Sequence, residues 1–464
     1  MQTHLKSSIF ATSVFGLMAL AGAVSAEVIS VTVDRSQPFD EVSGYQYVEG
    51  TMNGVVWRDD GSQGAYSVPV VLIYPEQDGN GIGVVDIPNT VAIHFIPDAS
   101  EWSVLQYTRI TTESYLFETG HTYISVQWDK AVTETFGPTP PDDGSDFNHL
   151  AYGTIEQGDD AFHIMRDAAA FLRDPSGFEG NYGPAPVDTV LGFGYSQTAG
   201  LLNEFLARGE NANGAFDGNL IGKMGLVCQS FHNEPPLFSD IAPCPDHPAS
   251  DPSVSIMIAA ETDVIVFAAA SARSDVANWR SYELAGVSHL PAQIFPGLHP
   301  DQNTANSQQV FRAAIENLGL WAADGIPAPP SKYLEGTIIA GGNLLLPGLD
   351  GFDPDFDEDG NALGGLRLPH MVQLIDGKVA GAPLGYYIPI NPVDDIFVMI
   401  AGLFLPFSES ELAERYPNPG SYVSRVARAA EYLENHGYIL PQDKDAYVQE
   451  AAQSGIGRQA ESGR

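Results

Sequence analysis

The sequence is poor in basic residues. Lysine and arginine together number 21, whereas aspartate and glutamate number 59, so the formal net charge is −38. The excess of acids comes from a shortage of bases. The resulting negative charge argues against nucleic acids and anionic membrane surfaces as binding partners. Beyond residue 26 the chain also lacks an apolar run long enough to span a bilayer, so we predict no transmembrane helix there.

Cysteine is scarce as well, since Cys228 and Cys244 are the only two. No cluster of histidine and cysteine surrounds them, which argues against a zinc site. In an exported protein, a single pair separated by a short turn-rich segment predicts a disulfide, with two free buried thiols as the alternative. We interpret the surrounding segment, near residues 228–250, as a loop insertion.

The N-terminus indicates export. Lys6 is the only charged side chain in residues 1–26, and a short apolar run ends in the small residues Val24, Ser25 and Ala26. This pattern is typical of a signal peptide cleaved after Ala26, and a membrane anchor is the alternative. We therefore expect an exported mature protein, periplasmic or secreted, that no longer contacts the membrane.

The rest of the chain begins with three strands and then alternates strands with helices. Short apolar runs typical of strands are followed by segments in which apolar residues recur at helical spacing. This alternation predicts an α/β fold, with a mainly parallel sheet and helices on both faces. The predicted strands are 28–33, 48–57, 66–75, 90–97, 122–128, 187–194, 218–227, 253–260 and the end of 275–286, and the predicted helices are 111–120, 159–174, 198–209 and 306–325.

A proline-rich joint that begins at Pro327 divides the chain. Beyond it the sequence is rich in loops, apart from a predicted helix at 421–437. We therefore predict a main domain over residues 27–330 and a loop-rich C-terminal extension over 331–464 that packs on it.

One glycine-rich stretch, VLGFGYSQTAG (190–200), predicts a nucleophile. It lies between a predicted strand and a predicted helix, the setting of the tight turn that lifts a nucleophilic serine, here Ser196, above a sheet edge. The same turn would point the backbone N–H of Gln197 toward an oxyanion. The usual G-x-S-x-G pattern is broken at Thr198, so a structural serine is the alternative. We expect the substitution Thr198→Gly to keep activity.

A serine nucleophile needs a base, and the base needs an acid to orient it. Asp263 follows the predicted strand at 253–260, and His289 follows the next strand. The chain order serine, acid, histidine is the one found in serine hydrolases built on an α/β sheet. We therefore predict a catalytic triad of Ser196, Asp263 and His289, with Glu261 as the alternative acid.

The rest of the predicted site comes from neighbouring loops. The second oxyanion donor is expected in the loop at 95–102, with Ala99 as the candidate. Tyr195, Phe231 and His232 are candidates for lining a substrate pocket. For the last two, a solvent-exposed surface loop is the alternative.

The acidic stretch DPDFDEDGNALGG resembles a calcium-binding loop, because Asp355, Asp357 and Asp359 follow the spacing of its ligands. Such a loop needs a bidentate glutamate at its twelfth position, where this chain has Leu366. We interpret the stretch as a glycine-rich turn of the C-terminal extension, and we expect no metal site.

Several of these stretches together resemble a known family. The matching stretches are GYSQT (194–198), ETD (261–263), AGVSH (285–289), DEDGNALGGLRLP (357–369), YVEGT (47–51) and HTYISVQW (121–128). They resemble the α/β-hydrolase superfamily and, within it, a bacterial and often exported group called the alpha/beta hydrolase domain family. The resemblance implies the α/β-hydrolase fold, ester hydrolysis by a Ser–Asp/Glu–His triad, and tolerance of Thr198 in this branch.

The expected function is that of an exported serine esterase which cleaves a carboxylic ester through an acyl-enzyme. The substrate would be a small-molecule or polymer-derived ester, and no metal or organic cofactor is needed for this chemistry. An acyltransferase or amidase with the same triad is one alternative. A non-catalytic binding protein that kept the fold is the alternative from outside the enzymes.

Overall fold

The computed structural model describes residues 27–58, 61–88, 111–112, 114–128, 160–229, 241–293, 296–343 and 345–458. The predicted signal peptide, the predicted strand at 90–97 and the loop at 95–102 lie outside these ranges. No helix within the described ranges is long and apolar enough to cross a membrane.

A nine-stranded sheet forms the centre of the protein. Its strands are β1 Glu27–Pro38, β2 Tyr45–Trp57, β3 Gln63–Pro75, β4 Ile82–Ile87, β5 Thr122–Val126, β6 Thr189–Tyr195, β7 Gly218–Gly222, β10 Val254–Ala260 and β11 Trp279–Leu284. Across the sheet they stand in the order β1-β2-β3-β5-β4-β6-β7-β10-β11. Two shorter strands that follow β7, β8 Val227–Gln229 and β9 Ile241–Pro243, form a separate antiparallel pair.

The sheet has an antiparallel part and a parallel part. Strands β1, β2 and β3 form an antiparallel meander, and β3 joins β5 in the antiparallel sense. From β5 to β11, neighbouring strands pair in parallel. Parallel neighbours need crossover connections, which the helices supply. The predicted α/β fold with a mainly parallel sheet is therefore confirmed.

The helices lie mostly between the parallel strands and in the C-terminal part. They are α1 Tyr115–Glu118, α2 Asp160–Arg173, α3 Gln197–Ala207, α4 Glu261–Val266, α5 Gln308–Asp324, α6 Ile396–Ala401, α7 Glu409–Arg415, α8 Pro419–Asn435 and α9 Pro441–Gln453.

Two successive residues of β6 show that helices cover both faces of the sheet. A Cβ atom added to Gly194 would lie 2.4 Å from the carbonyl oxygen of Thr198, so this position faces α3. The preceding residue, Phe193, places its ring 6.2 Å from that of Phe311 in α5. Because successive side chains of a strand point to opposite faces, α3 and α5 lie on opposite sides of the sheet.

Strand β4 is absent from the sequence-based prediction. Its apolar run is short and interrupted by Gly83, which obscures the strand pattern. The glycine has a packing role, because an added Cβ atom would lie 2.8 Å from Cδ1 of Leu172 in α2. The close approach of α2 therefore accounts for the glycine.

The C-terminal extension continues the edge of the sheet. Leu366 forms a parallel bridge with Leu284 of β11, and its N–H donates to the carbonyl oxygen of Glu283 at 2.7 Å. Lys332 forms a second parallel bridge, with Tyr282. The extension also contains three antiparallel pairs of short strands. They are β12 Gly336–Ile339 with β13 Gly351–Pro354, β14 Gln373–Ile375 with β15 Lys378–Ala380, and β16 Gly385–Ile388 with β17 Leu403–Pro406. Many apolar side chains of this region belong to the same buried cluster as those of the large sheet.

A disulfide joins Cys228 and Cys244, the pair predicted from the sequence, with their Cα atoms 4.7 Å apart. It lies at the pairing of β8 with β9, where Cys228 stands opposite Ala242. The bond closes a segment of which residues 230–240, including Phe231 and His232, lie outside the described ranges.

Candidate active site

Ser196 lies in a sharp turn between the end of β6 and the start of α3. Its φ of 54° is in the left-handed range that residues other than glycine rarely adopt. Its N–H donates to the carbonyl oxygen of Gly222 at the end of β7, at 2.8 Å, which fixes the turn to the neighbouring strand. The turn has room only for glycine at position 194, where a Cβ atom would meet the backbone of Thr198. Strain of this kind persists only where the surrounding structure holds it, and it is common at functional sites.

Thr198 is accommodated inside this turn. Its side chain is fully buried, and its Oγ1 accepts a hydrogen bond from the N–H of Tyr195 at 3.0 Å. The same hydroxyl donates to the carbonyl oxygen of Tyr195 at 3.2 Å. The departure from the G-x-S-x-G pattern therefore adds local hydrogen bonds to the turn.

A chain of two hydrogen bonds connects Ser196, His289 and Asp263. The Oγ of Ser196 lies 2.8 Å from Nε2 of His289, and Nδ1 of the same ring lies 2.6 Å from Oδ1 of Asp263. The histidine and the aspartate are almost completely buried. Oδ2 of Asp263 accepts from the N–H of Ala260 at 2.6 Å, so both carboxylate oxygens are held. A serine, a base and an oriented acid in this geometry can perform nucleophilic catalysis.

The sheet order explains why these three residues meet. Ser196 follows β6, Asp263 lies in the first turn of α4 after β10, and His289 follows β11. The strands β6, β7, β10 and β11 are parallel neighbours, so their carboxyl ends share one edge of the sheet. Residues far apart in the chain are thereby brought together above that edge.

Glu261, the alternative acid, has a different partner. Its Oε2 accepts from the N–H of Gly286 at 2.7 Å, three residues before His289. Burial raises its pKa to about 7, while the bond from Gly286 and the charge of Arg367 act in the opposite direction. In this arrangement the ring of His289 is oriented by Asp263, and Glu261 holds the turn that leads to the ring.

The comparison with known families assigns the chain. A family model described as alpha/beta hydrolase domain matches residues 88–449, well over half of the chain. The chain belongs to the alpha/beta hydrolase domain family. The resemblance seen in the sequence motifs is thus confirmed, and the match extends across Pro327 into the C-terminal extension.

Several solved esterase structures are similar to this chain at low identity and low TM-score. Methylesterase BT1017 is 12% identical, with a TM-score of 0.36, over 64% of this chain and 58% of that chain. The rice cell wall degrading esterase LipA from Xanthomonas oryzae is 12% identical, with a TM-score of 0.26, over 42% of this chain and 50% of that chain. Acetyl xylan esterase 1 from Thermoanaerobacterium sp. JW/SL YS485 is 14% identical, with a TM-score of 0.27, over 56% of this chain and 80% of that chain.

The match to the first two of these structures spans 58% and 50% of their own lengths. None of the curated proteins matches the sequence of this chain.

The backbone of residues 286–289, which we call the histidine loop, is bonded by side chains that the sequence motifs alone did not single out. Thr262 Oγ1 accepts from the N–H of His289 at 3.2 Å and donates to the carbonyl oxygen of Pro389 at 2.6 Å. Lys223 Nζ donates to the carbonyl oxygen of Ser288 at 3.1 Å. In the sequence, a lysine inside the apolar run that contains β7 is the signal that could have drawn attention to Lys223.

Aromatic rings enclose the histidine. The ring of Phe267 lies 5.1 Å from that of His289, centroid to centroid, and the ring of Tyr195 lies at 6.3 Å. Tyr195, a predicted pocket residue, is fully buried, and its hydroxyl donates to the carbonyl oxygen of His289 at 3.2 Å. Its position is therefore beneath the histidine, inside the core of the protein.

Of the two predicted oxyanion donors, only Gln197 lies within the described residues. Gln197 is the first residue of α3, and the N–H groups of a first helical turn have no acceptor within the helix. Its N–H is therefore available beside Ser196. Ala99 lies outside the described residues.

The acidic stretch of the extension is bonded by arginines and backbone. Arg367 donates to Asp357 at 2.7 Å, and Arg415 donates to both carboxylate oxygens of Asp359, at 2.7 and 2.9 Å. Asp357 Oδ1 also accepts from the N–H of Asn361 at 2.9 Å. Within the described ranges, no group of three or more His, Cys, Asp or Glu side chains is arranged to hold a metal ion. The two aspartates thus tie the turn to the rest of the extension.

Proposed function

We propose that this protein is an exported serine esterase that cleaves a carboxylic ester through Ser196, His289 and Asp263. The observation that carries the proposal is the pair of hydrogen bonds from Ser196 Oγ to His289 Nε2 at 2.8 Å and from His289 Nδ1 to Asp263 at 2.6 Å. Its setting, a strained turn at the carboxyl end of a parallel strand in a member of a hydrolase family, supports a nucleophilic role for the serine.

The proposed reaction has two halves. His289 Nε2 takes the proton of Ser196 Oγ while the oxygen attacks the ester carbonyl carbon, and the resulting imidazolium then gives that proton to the departing alcohol. The serine is left acylated. A water molecule then attacks the acyl carbon with His289 as base, and the acid product leaves with the serine restored.

Asp263 has two tasks in this reaction. Its hydrogen bond to Nδ1 keeps Nε2 free to accept the serine proton, and its negative charge stabilises the imidazolium. Because both carboxylate oxygens are bonded and the side chain is buried, the acid is held in place before the substrate binds.

The oxyanion of the tetrahedral intermediate needs two donors. The N–H of Gln197 is the first in this proposal. The second is expected after β4, because Ile87, its last residue, pairs with Gly194 and so brings the end of β4 beside the serine turn. Ala99, in the chain that follows β4, remains the candidate.

Export and substrate class rest on three features. The disulfide between Cys228 and Cys244 fits an oxidising compartment, as does the proposed signal peptide over 1–26. The acidic balance of the chain disfavours polyanionic substrates, so we propose a neutral small-molecule or polymer-derived ester.

Hydrolysis of p-nitrophenyl esters of graded acyl length tests the proposal. We expect turnover by the wild type and a loss of roughly 10³-fold or more in Ser196→Ala. Ser281→Ala is the matched control, because it removes a buried serine hydroxyl of β11 that makes no hydrogen bond to any described residue. Equal turnover by wild type and Ser196→Ala, in protein of equal purity, would overturn the proposal.

A further inference from the structure

Strand β7 lies between the strand that presents Ser196 and the strand that presents Asp263. Its carboxyl end is therefore placed directly beneath the candidate triad. Two residues at this end bond to the site: the carbonyl oxygen of Gly222 accepts from the N–H of Ser196 at 2.8 Å, and the side chain of Lys223 reaches the histidine loop.

Lys223 has an uncommon backbone conformation and an uncommon environment. Its φ is 54°, in the left-handed range, and its N–H donates to the carbonyl oxygen of Ile258 in β10 at 2.7 Å. The side chain is fully buried. Lysine is almost never buried completely unless its charge has a partner. A residue at this position therefore accepts both backbone strain and desolvation, which calls for a specific role.

The amine has two neighbours that belong to the site. Nζ donates to the carbonyl oxygen of Ser288 at 3.1 Å, immediately before His289. The second is the Asp263 carboxylate, which acts on the amine through its negative charge. Burial lowers the pKa of Lys223 to about 7, and the negative charge of Asp263 acts in the opposite direction. The groups that act on the amine thus come from α4, which carries Asp263, and from the histidine loop.

We propose that Lys223 is a positioning residue of the triad: it anchors the histidine loop through the Ser288 carbonyl, and its positive charge stabilises the carboxylate of Asp263. The inference rests on the proposed function of these residues. It assigns to Lys223 no contact with substrate.

The two parts of this role can be separated by substitution. Lys223→Gln removes the charge and keeps an N–H donor for the Ser288 carbonyl, whereas Lys223→Met removes both. Both variants take a positive charge away from the negative charge of Asp263. In both we therefore expect the acid limb of the kcat/KM profile to move to higher pH by about one unit.

The donor should affect kcat more than KM. We expect Lys223→Met to lose roughly 10-fold in kcat relative to Lys223→Gln, because a loosened histidine loop misplaces the base by a fraction of an ångström. Lys378→Met, on an exposed lysine of β15, is the control and should leave the profile in place. If the acid limb of the folded variants coincides with that of the wild type, the proposed role of the charge is overturned. If Lys223→Gln and Lys223→Met have equal kcat values, the proposed anchoring of the histidine loop is overturned.

A titration of the amine itself needs no turnover and no substitution of Lys223. Because coupling between two charges is reciprocal, Asp263→Asn should lower the midpoint at which the Lys223 side chain titrates in an NMR experiment on ¹³C-lysine-labelled protein. Glu358→Gln, on an exposed acid, should leave that midpoint unchanged. An unchanged midpoint in Asp263→Asn would overturn the inference even in an active esterase, and a shifted midpoint in an inactive protein would count only against the proposed function.

Discussion

Two buried carboxylates, Asp263 and Glu261, stand two positions apart and hold different parts of the same loop. Asp263 bonds the ring of His289, and Glu261 bonds the N–H of Gly286. We expect Asp263→Asn to lower kcat by about 10³- to 10⁴-fold, because the amide no longer selects the productive tautomer of the ring or stabilises its charge. Glu261→Gln keeps an acceptor for Gly286 and should lose less than about 10-fold.

The pair of variants is read by steady-state kinetics, with circular dichroism to show that both are folded. The acid assignment fails if Glu261→Gln loses more kcat than Asp263→Asn. Such a result would move the orienting role to Glu261.

Thr198 offers a second comparison at the residue scale. Its hydroxyl accepts from the buried N–H of Tyr195, and an isosteric Thr198→Val leaves that N–H unpaired. We expect Thr198→Val to lower the free energy of unfolding by about 1–3 kcal/mol, while Thr198→Ser keeps the bond and loses less. Denaturant unfolding measures both. Thr198→Gly removes the same acceptor, so we expect it to keep activity with a lower stability.

A Thr198→Val protein as stable as Thr198→Ser would contradict the role given to the hydroxyl. The threonine would then matter only for its size. The presence of threonine in place of the last glycine of the G-x-S-x-G pattern would then need another physical explanation.

At the scale of elements, the C-terminal extension supports the histidine loop. Leu290 N–H donates to the carbonyl oxygen of Ile400 at 3.1 Å, and Pro389 accepts from Thr262, which also holds His289. The extension is thereby bonded to Leu290, which follows His289, and to Thr262, which bonds the backbone of His289. We infer that the edge of the sheet and the extension form one functional unit.

Gly402 tests this coupling. It has a φ of 62°, and an added Cβ atom would lie 2.5 Å from the carbonyl oxygen of Ile388 and 3.0 Å from Cβ of Ser288. We expect Gly402→Ala to lower kcat by roughly 10-fold or more, because the clash displaces the loop that carries His289. Gly341 has the same φ of 62° but nothing within 4 Å of its added Cβ atom, so Gly341→Ala is the matched control.

Both alanine variants carry the backbone cost of a positive φ, and the cost at Gly402 is the larger, because a ψ of −172° at this φ is almost restricted to glycine. The two kcat values are therefore compared per folded protein, with circular dichroism to measure the folded fraction. Equal kcat in both would show that the extension does not influence the position of the base.

The elements that could be predicted are those with a clear period. Strands β6, β10 and β11 and helices α2, α3 and α5 follow from apolar runs and helical spacing, and their order predicts which chain segments meet. Strand β4 is missed because glycine interrupts a short run. The short antiparallel strands of the extension are missed because each strand has only three or four residues.

The candidate site divides in the same way. Ser196, Asp263 and His289 are signalled by their places after successive strands. Thr262 has no such signal, and Lys223 has only its charge within an apolar run. What these two residues do depends on contacts with residues that lie 27 and 65 positions away. Sequence patterns record local periodicity, and these contacts are set by strand order.

At the scale of the whole molecule, one nine-stranded sheet supports the site at the carboxyl ends of its parallel strands. The antiparallel strands β1 to β3 lie at the opposite edge from β11, where the extension adds its bridges. The family match covers the chain from residue 88 to residue 449 and so includes both the sheet and most of the extension. This continuity agrees with a site built from both.

The central claim is that Ser196 is a nucleophile activated by His289 and Asp263. It is tested most directly by treating the folded protein with a fluorophosphonate and locating the covalent adduct by peptide mass spectrometry. The account predicts an adduct on the peptide that contains Ser196 in the wild type, slower labelling in His289→Ala, and no label in Ser196→Ala. A folded wild type that stays unlabelled, or labelling of Ser196→Ala to the same extent, would contradict it.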